Sequence, residues 1–157
     1  MNYLGRIMGA KKAEPEIEVR WLVRKDMPAI NEINIEAEYQ LLDEQIIEML
    51  RQRNVVGMVV ERDGVVVGYM IYALESQAID LYHLVVDPVF QCQGFGRALL
   101  DVLRGKLRSQ KRSRIFIMVS EYNVQAQVFL KACGFNWVET IRAWDENGDG
   151  YLFEYAI

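Results

Sequence analysis

At 157 residues, 52% hydrophobic and 25% charged, the chain has the size and balance of one globular domain with a real core. A net charge of −4 speaks against nucleic acid as the main partner and for cationic partners such as amines or basic peptides. Cys92 and Cys133 stand in no disulfide or zinc spacing, no apolar run nears the roughly 18 residues of a membrane helix, and no secretory segment is visible. The expectation is a cytoplasmic protein without metal or membrane partner.

Residues 1–16 carry Arg6, Lys11, Lys12 and Pro15 without sustained periodicity and read as a flexible N-terminal arm, leaving residues 17–157 as a single domain. Residues 17–23 alternate as a strand. Asp26 then caps a helix with Pro28 in its first turn and Ile30, Ile33 and Ala37 facing inward. A second helix spans residues 43–53 with Ile46, Ile47 and Leu50 as its stripe. Strands 55–62 and 65–74 meet at Asp63-Gly64, a strong hairpin signal, and strand 79–86 is halted by Asp87-Pro88. Strands 136–145 and 151–157 close the chain around the turn Glu146-Asn147-Gly148-Asp149-Gly150.

Between these lies the most specific signal. Gln91-Cys92-Gln93-Gly94-Phe95-Gly96 leads into a helix whose apolar stripe is Leu99, Leu100, Val102, Leu103 and Leu107. Gly94 and Gly96 let phosphates approach the backbone, where the loop's N–H groups join those of the first helical turn as an anion site; Arg97 adds charge. A dinucleotide fold requires a third glycine and a later acidic residue, and a P-loop requires Lys-Ser or Lys-Thr after Gly96, where this chain has Arg97-Ala98. After strand 114–119 comes a helix capped by Asn123, with Ala126, Phe129 and Leu130 on its apolar face and Gly134 as its stop. The first segment resembles the Q/R-x-x-G-x-G/A pyrophosphate loop of the GNAT N-acetyltransferase superfamily. The second resembles that superfamily's N-x-x-A-x-x-L-Y-x-x-x-G-F signature, in the same order.

The resemblance covers about residues 17–157 and implies an α/β mixed sheet with helices on both faces, in the order β-α-α-β-β-β-α-β-α-β-β. It implies acetyl-CoA as cosubstrate, with the pantetheine along the backbone of Leu84, Val85 and Val86 and an N–H near Val85 or Val86 polarising the thioester carbonyl. Gln91, Cys92, Gln93, Gly94, Phe95, Gly96, Arg97 and Ala98 would hold the pyrophosphate, joined by Asn123 and Phe129. The implied partner is an amine acceptor, a peptide α-amino group as in the RimI-type branch or a small amine, and the protein would act as monomer or homodimer. A CoA-binding regulatory module is the other reading, because the Glu and Tyr of the RimI-type branch correspond here to Met118 and Leu130, which do not titrate. Other branches carry a carboxylate, His or Tyr in the fourth strand, which matches Asp80 and Tyr82; these share a strand face and are candidate bases. Asp80 also reads as a solvated strand-end carboxylate. His83, the only histidine, reads as a packed, hydrogen-bonded residue opposite Tyr82 unless the strand bulges. Tyr122 is a candidate acid for the departing thiolate, or a loop residue packed on its neighbours. Cys92 has no predictable base, which favours direct transfer; Trp137, Trp144 and Arg142 frame the acceptor groove or are ordinary strand residues.

Overall fold

The computed structural model describes residues 14–157, so the expected arm at residues 1–16 lies almost wholly outside the described residues. Strand β1 (Ile17–Trp21) is followed by a 3-10 turn and helices α1 (Met27–Glu36) and α2 (Asp43–Leu50). Strands β2 (Val55–Arg62), β3 (Val65–Leu74) and β4 (Ala78–Val86) form a meander, then helix α3 (Phe95–Lys106), β5 (Arg114–Ser120), α4 (Val124–Ala132), β6 (Asn136–Asp145) and β7 (Gly148–Ala156) complete the chain. The element order is the expected one.

All seven strands form one sheet in the order β1-β2-β3-β4-β5-β7-β6, in which only the β4–β5 pair is parallel. Asp63 (φ 49°) and Gly64 (φ 82°) supply the two left-handed residues that fold β2 onto β3. Each sheet face carries its own core. Leu99, Leu100 and Leu103 of α3 and Leu130 of α4 pack with Ile79, Leu81, Ile115 and Phe153 on one face; Ile30 and Ile33 of α1 and Ile46 of α2 pack with Val59, Tyr69, Ile71 and Val85 on the other. Helix α1 lies over β3 and β4 and α2 over β2, so on that second face β5, β7 and β6 have no covering helix.

Asp26 was expected to cap α1 through its side chain, and it does not. Its carboxylate instead accepts hydrogen bonds of 2.8 Å from Arg20 Nη1 and Nη2 and from the Val23 N–H, and Arg20 Nε reaches Glu61 at 2.7 Å. The Arg20 guanidinium holds the Asp26 carboxyl below the usual carboxylate range, against the opposing effect of burial. The last hairpin is also tighter than expected. Asp145 pairs with Gly148, leaving a two-residue turn, and Gly148 and Gly150 lie inside β7. Both are strand glycines over which a neighbouring side chain lies. A Cβ at Gly148 would collide with Glu121 Oε1, and one at Gly150 would stand 2.6 Å from Met118 Cε and 2.7 Å from the Trp144 ring. Among the described residues no helix is long and apolar enough to cross a membrane, and no three His, Cys, Asp or Glu cluster as metal ligands.

Candidate active site

The parallel strands part company halfway. Pairing between β4 and β5 runs from Ala78–Arg114 to Leu81–Ile117 and stops, although β4 continues to Val86 and β5 to Ser120. Beyond Leu81, β4 is therefore held by β3 alone and its other edge faces a gap. The Asp87 N–H donates to the Val67 carbonyl at 2.8 Å, and the Val85 carbonyl lies 3.0 Å from where a Cβ on Gly68 of β3 would stand. Alternation in an antiparallel ladder then turns the backbone groups of Leu84 and Val86 toward the gap. Gln91 Nε2 already donates to the Val86 carbonyl there at 3.2 Å. The expectation for this trio is corrected at Val85, whose backbone faces β3 and whose side chain is buried in the second core. An open strand edge of this kind accepts an extended, amide-bearing ligand as an added strand.

The gap leads to the start of α3. Gly94 (φ 91°) is the N-cap residue, no side chain caps the helix, and the first intrahelical bond runs from the Ala98 N–H to the Gly94 carbonyl at 2.9 Å. The amides of Phe95, Gly96 and Arg97 thus have no intrahelical acceptor. Cys92 is exposed at φ 62°, and Gln93 Nε2 reaches back to the Val89 carbonyl at 3.4 Å. Phe95 is buried edge-on against Phe90, which fixes the first helical turn while Arg97 stays exposed. Space beside Gly94 is open to 4 Å, as a phosphate cradle requires. Gly96 differs from expectation: a Cβ there would meet the Phe129 ring at 3.0 Å, so this glycine admits α4 against the loop. Gln125 Nε2 donates to Gln91 Oε1 at 2.9 Å, a second tie between α4 and the loop that no sequence signal announced. Asn123 Oδ1 accepts the Ala126 N–H at 3.1 Å as a helix cap.

Titratable groups gather where the strands separate. Register along β3 passes from Tyr72–Leu81 to Ile71–His83, leaving Tyr82 unpaired in a bulge. The bulge resets the pleat, so Leu84 and Val86 rejoin Ile79 and Leu81 on the first core. His83 consequently lies on the second face, the face of Asp80. It shares a 2.6 Å hydrogen bond with the Tyr39 hydroxyl from the α1–α2 loop, ring edge to face. Burial lowers the His83 pKa below 6.5 and pushes the Tyr39 phenol up to about 12, so both are neutral at pH 7. Burial, seconded by Glu75, raises the Asp80 carboxyl; burial, Asp80 and Glu75 raise the Tyr82 phenol. Across the gap, on the uncovered face, Met118 and the Trp144 ring meet over Gly150 as an apolar floor. Leu130 is buried in the first core, away from any titrating role. Tyr122 stands 69% exposed in the turn after β5, its phenol raised by a hydrogen bond to Glu121. Tyr39 and Gly150 escaped the sequence reading: Tyr39 lies 44 residues from its partner, and Gly150 looked like a turn residue.

The parted strands, the free edge of β4 and the uncapped start of α3 describe an α/β domain shaped for an extended ligand that ends in phosphates. The chain belongs to the acetyltransferase (GNAT) family, whose sequence profile matches residues 18–135. It is 34% identical over 82 residues to the [ribosomal protein bS18]-alanine N-acetyltransferase of Haemophilus ducreyi, a match covering 52% of this chain and 55% of that protein. The chain spans little more than half the length of the curated relatives it matches. Its fold is that of the ribosomal-protein-S18-alanine N-acetyltransferase from Escherichia coli, with TM-score 0.77, 22% identity, and 90% of this chain and 94% of that one covered. Ard1 from Thermoplasma volcanium superposes with TM-score 0.79 at 21% identity, covering 90% and 97% of the two chains.

Proposed function

We propose that this protein transfers the acetyl group of acetyl-CoA to a primary amine, the α-amino group of a peptide or protein. The observation that carries this reading is the free β4 edge running into the uncapped first turn of α3. The curated relatives, named for acetylating an alanine of a ribosomal protein, support a peptide acceptor. In this reading the pantetheine amides pair with the Leu84 and Val86 backbone, and the pyrophosphate lies beside Gly94 on the amides of Phe95, Gly96 and Arg97. The Leu84 N–H, aimed into the gap, polarises the thioester carbonyl.

The amine must be neutral to attack. Its proton passes to Asp80, directly or through a water beside Tyr82, and the raised carboxyl is a better base than an ordinary aspartate. The amine nitrogen then bonds to the thioester carbon, the carbon–sulfur bond breaks, and CoA leaves as its thiolate. Tyr122, whose phenol is held protonated above its ordinary value, is the candidate acid for that sulfur. Met118 and Leu130 leave no titrating group at the two positions used by the RimI-type branch, which is why the proton path is assigned to β4.

Thiol release from acetyl-CoA, measured with alanine-led peptides, polyamines and no acceptor, tests this. Acceptor-dependent release with peptides is expected. Release with polyamines alone would replace the acceptor, and acetyl-CoA binding with no release for either would make the protein a regulatory CoA binder.

A further inference from the structure

The segment Lys106-Leu107-Arg108-Ser109-Gln110-Lys111-Arg112-Ser113-Arg114 holds five of the chain's 18 cationic residues and no acidic one, in a protein of net charge −4. Part of this charge is structural. Arg108 Nη1 donates to the carbonyls of Gly105 and Leu107 at the end of α3, and Arg112 Nε donates to the Glu75 carbonyl. Two of the other three, Lys111 and Arg114, face a cavity of about 760 Å³ between the β3–β4 turn and the α3–β5 loop. Lys111 and Arg114 are the only charged side chains lining it, among the hydroxyls and amides of Ser76, Gln77, Ser109 and Ser113. Lys111 has no ion-pair partner among the described residues, and Arg114 has one 3.5 Å contact, from Nη1 to Glu154. Ammonium, guanidinium, hydroxyl and amide donors together are the set that binds carboxylate and phosphate oxygens.

The cavity's position gives this chemistry a use. Ala78 and Arg114, both in its lining, are the first paired residues of β4 and β5, and Phe116, also in the lining, is the strand partner of Asp80. The cavity therefore lies on the uncovered face, down the strands from the gap. From Tyr82 to Ala78 the strand runs about 13 Å, so an extended peptide with its amine at the gap reaches the cavity with roughly its fourth to sixth residue.

We propose that this cavity is an acceptor subsite for an anionic side chain several residues beyond the reacting amine. It rests on the reading of the chain as a peptide acetyltransferase. The test measures both kcat/KM and equilibrium peptide binding by fluorescence anisotropy. The substrates are alanine-led hexapeptides carrying Glu, phosphoserine, Gln or Lys at position five. Glu and phosphoserine should be preferred over Gln by about fivefold, as for one solvent-accessible ion pair, and Lys disfavoured. Their ratio tells carboxylate from phosphate as the better ligand. Lys111→Gln with Arg114→Gln should erase the preference while leaving the Gln peptide unchanged, Lys111→Glu should turn it toward Lys, and added salt should weaken it. Equal use of all four peptides would overturn the proposal. So would charge-blind peptide binding alongside tight, Lys111-dependent binding of a single-stranded oligonucleotide. A Glu preference in binding without any turnover would leave the subsite standing and remove the acetyltransferase reading. If no peptide binds, both fall.

Discussion

Asp80 sits on the second face of β4, two residues before the unpaired Tyr82 where the strands part, and its carboxyl is raised by burial and by Glu75. A raised carboxyl keeps its proton to higher pH, so as a base it is active only above its own pKa. The acidic limb of the kcat/KM profile should therefore lie above pH 3.8, with activity lost as pH falls through it. Asp80→Asn should lower turnover by about 10²-fold and remove that limb, with acetyl-CoA affinity nearly unchanged; His83→Gln should leave the limb in place. Stopped-flow thiol release across pH decides between them, and an active Asp80→Asn beside an inactive His83→Gln would move the proton path to the Tyr39–His83 pair. Individual residues were legible in the sequence where a local partner suffices. Asn123 caps its own helix, three residues away. Asp26 holds the N-cap position read for it, but its carboxylate serves Arg20 and Val23 instead of the helix it precedes: two charge-assisted bonds satisfy it better than one amide does.

At the level of elements, the loop before α3 separates two uses of glycine that look alike in sequence. Gly94 has a left-handed φ of 91° and open space beside it, whereas Gly96 is closed by the Phe129 ring. Gly94→Leu should place a side chain in the phosphate cradle and weaken acetyl-CoA binding at least tenfold by calorimetry, besides costing on the order of 1 kcal/mol for the left-handed backbone. Gly96→Ala should act through packing, lowering stability and cofactor affinity together, with both recovered on adding Phe129→Leu. Affinity left intact in a folded Gly94→Leu variant would remove the pyrophosphate site from this loop. The same distinction explains which elements could be read in advance. Strands β2, β3 and β6 begin and end where alternation and turn residues placed them, because their limits are set locally. The bulge at Tyr82, the end of β4–β5 pairing and the early start of β7 follow from contacts with distant elements, as when Trp144 and Met118 close over Gly150. Periodicity therefore left the face of His83 conditional on a bulge, and the packed, hydrogen-bonded histidine it favoured is the one found. The resemblance, not periodicity, set Val85 on the gap.

For the molecule as a whole, two helix-covered cores brace the strands on either side of one deliberate break in the sheet. Arg20, Asp26 and Glu61 pin β1 and the start of α1 to β2, while Gln91 and Gln125 pin the loop before α3 to β4 and α4. The gap opens between β4 and β5, beside these ties. On one side of it lie the donors suited to a phosphate-bearing thioester. On the other lie Asp80 and, across the gap, the uncovered face of Met118 and Trp144, suited to an incoming chain. The direct measurement is mass spectrometric mapping of the product from acetyl-CoA and an alanine-led peptide that also contains an internal lysine. The proposed function predicts one acetyl group, on the α-nitrogen. Acetyl on the lysine side chain alone, or an unmodified peptide beside protein saturated with acetyl-CoA, would contradict it.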